Sequence, residues 1–331
     1  MHKCVVGVVL TITLLFSGAQ SYADPHDGAG TAGAAFLKFE PGSRPVGMGG
    51  AFAGLANDIN TIFWNPAGLT SVHTRELTAM QHFWIADISS QSIGYAQRTN
   101  KIVWGASLVG SFPEIERRVG ATLEPDSTVT IGGFATGLSL AYPLGTNASV
   151  GGTAKFISQQ LDIQNVYGAA ADIGVILRML DNHLGIGIAM QNAGLIFEAS
   201  DRDEDLPNDK LPMALRVGLA YRIWKQVEAG TEQAMPPRDL WALVADVNLP
   251  LIDAYPSFHI GVERWFYDIV AARVGYRISQ NDNPSNGLAI GFGVRKKGLD
   301  SLSNIDFQFD YAFVPDADLG HSHRISVITR F

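Results

Sequence analysis

From about residue 76 to the end, the chain alternates apolar with polar or small residues in segments of roughly 8 to 12 positions, each closed by a turn signal. Between 304 and 313, Ile305, Phe307, Phe309, Tyr311 and Phe313 fall on one side, with Asp306, Gln308 and Asp310 on the other. Between 269 and 279, Val270, Ala272, Val274, Tyr276 and Ile278 oppose Arg273, Gly275, Arg277 and Ser279. The same division sets Leu215, Val217, Leu219 and Tyr221 against Arg216, Gly218, Ala220 and Arg222, and Ile325, Val327 and Phe331 against Arg324, Ser326 and Arg330. Successive side chains of a strand point to opposite faces, so each segment has one greasy face and one polar or small face. About fourteen such strands are expected, near 76–84, 88–97, 101–112, 129–142, 148–161, 169–178, 184–191, 213–223, 240–249, 258–266, 269–279, 288–296, 304–313 and 323–331. An even count returns the chain to its starting side of a closed antiparallel barrel.

A secreted β-sandwich alternates too, and three features favour a membrane barrel over it. The second face is rich in Gly, Ala and isolated charges, which suits a filled or narrow lumen. Aromatic residues stand near strand ends (Trp84, Trp104, Trp224, Trp241 and Trp265, with Tyr95, Tyr142, Tyr255 and Tyr267), where amphipathic rings prefer a membrane–water boundary. The chain also ends on Phe331, directly after an alternating strand, in the manner of outer-membrane barrels read by their insertion machinery. Connection lengths mostly follow the expected alternation of long external loops and short periplasmic turns. The third (113–128) and seventh (192–212) are long, the second (98–100), fourth (143–147) and sixth (around 181–182) are short, and the eighth (225–239) breaks the rule.

The first residues read as an address rather than as structure. Lys3, the apolar run from Val5 to Phe16 and the small-residue pattern Ser21-Tyr22-Ala23 make a secretory signal peptide over 1–23. The one cysteine, Cys4, lies inside it, so disulfides, thiolate catalysis and Cys-ligated zinc drop out of the mature chain. Only 17% of residues are charged, against about 25% in ordinary soluble domains, and the formal net charge is -8. Nothing there attracts a phosphate backbone, so no nucleic-acid partner is expected.

Residues 24–75 follow another rule. They are small-residue-rich and largely uncharged, with a short helix expected over 49–57 and a turn at Asn65-Pro66. Such a segment suits a hatch inside the lumen, because Gly and Ala allow close backbone approach and Asn and Asp can satisfy hydrogen bonds there. The blocks Arg44-Pro45-Val46-Gly47-Met48-Gly49-Gly50-Ala51-Phe52-Ala53-Gly54, Ala56-Asn57-Asp58 and Trp64-Asn65-Pro66-Ala67-Gly68-Leu69 resemble the N-terminal region of the PorV/PorQ family, a branch of the FadL-like outer-membrane barrels. His259-Ile260-Gly261-Val262-Glu263, Arg273-Val274-Gly275-Tyr276-Arg277, Asp310-Tyr311-Ala312-Phe313 and His323-Arg324-Ile325-Ser326 echo its C-terminal half. The resemblance implies an all-β transmembrane barrel of 14 strands (76–331) plugged by an N-terminal hatch, in the outer membrane of a Gram-negative-type bacterium. Relatives of that kind divide into passive uptake channels for hydrophobic small molecules, the function expected here, and accessory barrels of type IX secretion that dock secreted protein cargo. Partners are then outer-membrane lipid, the barrel assembly machinery, and a hydrophobic small molecule or secreted cargo.

The hatch residues expected to matter are Arg44, Gly47, Gly49, Gly50, Asn57, Asp58, Trp64, Asn65 and Pro66. On the polar face of four late strands, Arg273, Arg277, Arg295, Asp306, Asp310, Arg324 and Arg330 are expected to pair across the wall and to the hatch. Gly105, Gly110 and Pro113 are candidates for a lateral gap, since Gly weakens a strand and Pro lacks an N–H. Other chemistry is thin. Gly47-Met48-Gly49-Gly50 lacks the strand and Lys of a phosphate loop, and Asp201, Asp203 and Asp205 lack the Gly and Glu of a calcium loop. His321 and His323 lack a third ligand, and no nucleophile signature is present. No enzyme activity, cofactor or metal is expected.

Overall fold

Period-two segments with one apolar face can satisfy every backbone group only by pairing all the way round, and here they do. In chain order the strands are β1 (Arg75–Phe83), β2 (Ser89–Thr99), β3 (Ile102–Ser111, resuming as Glu114–Arg117), β4 (Ser127–Pro143), β5 (Ala148–Leu161), β6 (Gln164–Met179), β7 (Leu184–Phe197), β8 (Ala214–Trp224), β9 (Asp239–Pro250), β10 (Ser257–Phe266), β11 (Val270–Ser279), β12 (Gly287–Lys296), β13 (Asp306–Asp316) and β14 (Gly320–Arg330). Each pairs antiparallel with its sequence neighbours, and β1 with β14 closes the barrel, Glu76 facing Arg330 and Phe83 facing His323. The computed structural model describes residues 32–85, 88–117, 127–161, 164–197, 210–224, 239–252, 254–279, 287–296, 298, 305–316 and 320–331. The signal segment, the three alternating aspartates and the 225–238 connection lie outside the described residues.

The faces divide as the pattern requires. Leu138 and Leu140 are 71% and 61% exposed, while Ser139 and Ala141 between and beyond them are each 2% exposed. Outward positions carry Ile93, Leu108, Ile173, Val274, Tyr276, Phe292, Phe307 and Phe309, an apolar surface of the kind that faces acyl chains. Trp104, Trp241, Tyr142 and Tyr267 are exposed as boundary aromatics should be. Trp265 is the exception. It is buried on the inward face under the guanidiniums of Arg273 and Arg295, 5.5 and 4.1 Å from its ring centre, so it is a lumen residue. Trp84 and Tyr255 also face internal cavities rather than lipid.

Two differences concern length. β7 runs on past residue 191 to Phe197, because a bulge opposite Ala171/Ile173, with Asn192 at φ 57°, absorbs the irregularity and lets pairing continue. The connection between β5 and β6 is only residues 162–163 although it is odd-numbered. β4 to β7, with 14 to 17 residues each, are longer than β1 to β3, and they raise one side of the barrel by extending the sheet itself.

Residues 32–74 sit inside. Helix α1 (Ser43–Gly47) and three 3-10 turns (Ala35–Lys38, Ile59–Phe63 and Pro66–Ser71) are joined by irregular backbone. The helix expected over 49–57 is absent. Gly49 and Gly50, at φ 71° and 82°, stop α1 and turn the chain, while their N–H groups bond back to Val46 and Pro45. Asp58 and Asn65 cap the last two turns, accepting from the N–H of Asn60 at 2.8 Å and of Ala67 at 3.2 Å. The hatch packs its own apolar side chains Val46, Met48, Phe52, Leu55 and Trp64 against Ala220, Ala242, Val244 and Ala312 of the wall. Elsewhere its backbone lies directly on wall backbone. A Cβ on Gly275 would come within 2.1 Å of Gly49 N, and one on Gly187 within 1.9 Å of Ala53 O. The small residues of the polar face are therefore the seat of the hatch.

Replacing Leu138 with Arg tests which face meets lipid. The substitution is expected to cost about 2–4 kcal/mol of folding stability in a bilayer, read as a lower urea midpoint in lipid vesicles. An unchanged midpoint would mean that this face is not in the membrane.

Candidate functional site

The lumen holds three groups of charges. The first links hatch to wall. Arg44 grips Glu263 with two nitrogens at 2.8 and 2.7 Å and reaches Asp58 at 2.6 Å and Asn57 at 2.8 Å. Glu263 also takes Arg273 at 2.6 Å, and Arg273 meets Asp310 at 2.8 Å. Asp310 accepts from Gln308 at 2.8 Å, Gln308 accepts from Arg330 at 3.1 Å, and Arg330 lies 3.4 Å from Glu76. Glu76 returns to the hatch by accepting the N–H of Ile59 at 3.1 Å. Glu263, Arg273 and Asp310 are each at most 3% exposed, so each ion depends on its neighbours to offset the loss of water.

The second group lies nearer the end of the barrel where β1 ends and β2 begins. Glu40, in the strap of residues 35–41, pairs with Arg277 and, at 3.0 Å, with Arg216. Arg216 donates to Gly50 O at 2.7 Å, and its guanidinium lies 4.6 Å over the Trp64 ring. Asp246 accepts the N–H groups of Phe52 and Ala53, both at 2.8 Å, and His259 Nδ1 donates to Gly49 O at 2.6 Å. Burial alone would raise the Glu40 carboxyl, but the fields of Arg277 and Arg216 outweigh it and hold it down to about 2. The third group, Lys155 with Asp172 at 2.7 Å and Asn192 at 2.8 Å, pins the β6–β7 bulge.

The strap divides the remaining lumen. On one side is a cavity of about 540 Å³ with an apolar wall of Phe36, Phe39, Val46, Trp84, Ile131 and Val314, and with Arg277, Arg324 and His82 also on its surface. On the other is a more polar space of about 440 Å³ reached by Lys155, Gln191, Asn192, Arg216, Asn248 and His259. Lys38, Phe39, Glu40 and Arg277 touch both.

The first cavity meets the wall where β3 is broken. β2 pairs with β3 only as far as Ser90↔Ser111, and the β3–β4 ladder skips from Ser111↔Gly133 to Glu114↔Thr130. Between them a single bond, Ile131 N to Pro113 O at 3.1 Å, crosses the seam. Ser111, Pro113 and Gly132 line the cavity inside, while Gly110, Phe112, Ile93 and Leu108 line an apolar groove of about 260 Å³ on the opposite surface.

Each expected residue can now be placed. Of the late-strand charges, Arg273, Asp310 and Arg330 belong to the first group and Arg277 and Arg324 to the second. Arg295 instead pairs with Asp268 in the β10–β11 turn, and Asp306 accepts from Gly298 N at 3.1 Å, so neither reaches the hatch. Gly47 lies on Gly291, Gly49 on Gly275 and Gly50 beside Glu40 and His259. Asn65 donates to Val175 O at 3.2 Å and Ala53 O at 3.2 Å, and Trp64 Nε1 to Pro41 O at 2.8 Å, while Pro66 packs against Gly151. Gly105 faces inward under Ile62 within an unbroken ladder, Gly110 faces outward, and the break itself falls at Phe112-Pro113. Phe331 closes the seam by accepting from Thr74 at 2.7 Å and Arg75 at 3.1 Å. His321 and His323 are exposed beside Phe313, and no group of metal-ligating side chains occurs among the described residues. Glu263, Arg216 and Asp246 are not among the expected site residues although each occupies a polar-face position. Glu40 belongs to no periodic segment and carries no sequence signal.

Two outcomes follow for the hatch. Arg44→Met should lower stability by about 3–5 kcal/mol, because Glu263 and Asp58 lose their shared cation, and should speed amide exchange across residues 43–60. Adding Glu263→Gln should recover part of the loss. Glu40 titrates lower folded than its ordinary 4.5, so its contribution is complete above that value and is lost as pH falls toward about 2. Amide protection of the strap should follow that window, and Glu40→Gln should flatten it.

Solved structures with this architecture include the CymD monoaromatic hydrocarbon channel (15% identical, TM-score 0.57, covering 88% of this chain and 97% of that one). The toluene transporter TbuX of Ralstonia pickettii (14% identical, TM-score 0.56, covering 89% and 100%) and the toluene transporter TodX of Pseudomonas putida (12% identical, TM-score 0.58, covering 87% and 96%) share it. At such identities the likeness is one of fold, the FadL-like barrel. A UPF0164 protein of Treponema pallidum (strain Nichols) is 26% identical over 182 residues, half of this chain and 44% of the relative's length. The uncharacterised protein family UPF0164 matches residues 17–227, all of the hatch and more than half of the barrel, and the chain belongs to that family.

Proposed function

We propose that this barrel is a passive outer-membrane channel for hydrophobic small molecules, FadL-like and of the PorV/PorQ type, that releases its solute sideways into the bilayer. The observation that carries this reading is the apposition at the β3 break. An apolar cavity inside and an apolar groove outside are separated only by the backbone of residues 111–113, where one hydrogen bond replaces the ladder. A solute in the cavity is held by burial of apolar area, and the route outward stays apolar, whereas the route downward crosses the ionised hatch seam. The hatch keeps ions and water from passing while leaving the sideways path free. The hydrocarbon and toluene channels that share the fold support the reading.

Uptake of radiolabelled toluene by a Gram-negative host lacking its own hydrocarbon channel tests it. Expression of the chain should raise uptake. Gly110→Leu fills the groove with a Cβ whose nearest neighbour is the adjustable Phe112 ring at 3.2 Å, and should cut the rate by about tenfold, a barrier increase of about 1.4 kcal/mol. A host that gains no uptake, from which the barrel co-purifies with secreted proteins, would point to a docking role instead.

A further inference from the structure

At the end of the barrel with the short turns, beside the seam where β14 meets β1, three hydrogen-bond donors stand together on the outer side of the wall. Arg75 opens β1 and is exposed, whereas Glu76 next to it is buried on the opposite face. Gln97 of β2 lies directly across from Arg75, and Lys101 is exposed in the turn between β2 and β3. Two strand spacings separate Arg75 from Lys101, about 10 Å across the wall. Other cations at this end are committed within the chain. Arg98 donates to Val72 O at 2.8 Å, Arg295 pairs with Asp268, and Arg330 reaches Gln308 and Glu76. Arg75 and Lys101 form no side-chain hydrogen bond or ion pair among the described residues. The acceptors nearest Arg75 are used elsewhere, Phe331 O by the Thr74 hydroxyl and the Arg75 N–H, and Glu76 by Arg330 and the Ile59 N–H. The Gln97 side-chain oxygen is taken as well, accepting from Tyr95 OH at 2.8 Å, so its amide NH2 is the group left to bond. Two cations and an amide donor remain, with no acceptor among them.

We infer that this corner holds the headgroup of an anionic phospholipid of the periplasmic leaflet, its phosphate shared by Arg75, Gln97 and Lys101. A phosphodiester offers only acceptors and one negative charge, the complement of a set that offers only donors and positive charge. The outward row that begins with Arg75 and Gln97 continues through Trp104 and Leu140. The Tyr95 ring lies 5.5 Å from that of Trp104, centre to centre. Amphipathic rings of this kind mark the membrane–water boundary, so the donors stand at headgroup depth. Exposed Leu77, Ile93 and Leu140 lie just beyond them, where acyl chains would run. A soluble anion would meet the same cations but gain nothing from the rings and the apolar surface. The formal net charge of -8 gives the chain no general attraction for anions, so affinity has to come from this local set. Because the donors come from β1, β2 and the β2–β3 turn, one bound phosphate would tie three neighbouring strands together beside the closing seam. The site does not depend on what passes through the lumen.

Native mass spectrometry of the whole barrel in maltoside, titrated with dioleoylphosphatidylglycerol and separately with dioleoylphosphatidylcholine, tests this. One phosphatidylglycerol should be retained at least fivefold more tightly than phosphatidylcholine. Arg75→Gln and Lys101→Gln should each weaken phosphatidylglycerol by about fivefold, the equivalent of roughly 1 kcal/mol for each cation at a membrane surface. Phosphatidylcholine binding should be unaltered in both, which also certifies that the variants fold. Lys296→Gln removes an exposed cation from the same end of the barrel, at the close of β12, and should change nothing. Glycerol phosphate and soluble peptidoglycan fragments at the same concentration should leave the lipid in place. Displacement by either would make the ligand a periplasmic solute or the cell wall and overturn the assignment to a lipid. Equal retention of the two lipids would overturn the inference, and so would a Lys296→Gln effect as large as that of Arg75→Gln, which would reduce the preference to diffuse attraction around the rim.

Discussion

Glu263 sits in the wall with no water in reach, between Arg273 from the next strand and Arg44 from the hatch. Neither guanidinium suffices alone, because Arg273 is shared with Asp310 and Arg44 with Asp58. A buried ion missing one partner costs several kcal/mol, so the wall's charges and the hatch's charges are stable only together. That mutual dependence explains why the hatch can be built from irregular backbone with short helical turns. Its position is set by ion pairs and by glycine-to-glycine contact rather than by its own secondary structure.

The same dependence separates the lumen into two levels. Below, around Arg44, Glu263 and Glu76, charges alternate in sign along a closed chain that begins and ends on the hatch. Apolar clusters around Phe52, Trp64 and Ile62 fill the space between. Above, the charges sit on a strap with cavities on both sides, and one guanidinium lacks a mate. Buried polar networks of alternating sign make a structure rigid where the ions stand in direct contact. The two levels are thus distinguished by what surrounds their charges, packed apolar clusters below and open cavities above.

The strands were legible because a barrel wall has only two environments, lipid and lumen, and alternation reports both. The expected segments 148–161 and 258–266 coincide closely with Ala148–Leu161 and Ser257–Phe266. Where a third environment intruded, the pattern misled. Trp265 is apolar in composition but lies inward as a platform for two guanidiniums, and the bulge at Asn192 concealed the last turns of β7. The hatch helix was misplaced because Gly-rich sequence states what the backbone may do, not what it does, and α1 formed just before the glycines. Arg273 and Asp310 could be grouped from their shared face. Glu40 could not, since its meaning depends on three arginines more than 170 positions away in sequence, brought to it by closure of the barrel.

The location of the wall's weak point has a cause in strand length. β3 is ten residues long before its break, and β4 beside it is seventeen. Some of β4 must therefore stand without a full partner, and the step falls level with the first residues of β2. Pro113 cannot donate at that step, and Gly132 opposite approaches so closely that a Cβ there would lie 2.7 Å from the Phe112 Cα. A full ladder across the seam would need an N–H at 113 and more room at 132, so the two residues together leave it with one hydrogen bond while the ladders below and above remain paired. The seam is a fixed feature of the wall, set by strand length and by these two residues. Inside the wall at this level lies the strap of residues 35–41, held by Glu40 on Arg277 and Arg216 and by Trp64 Nε1 donating to Pro41 O at 2.8 Å.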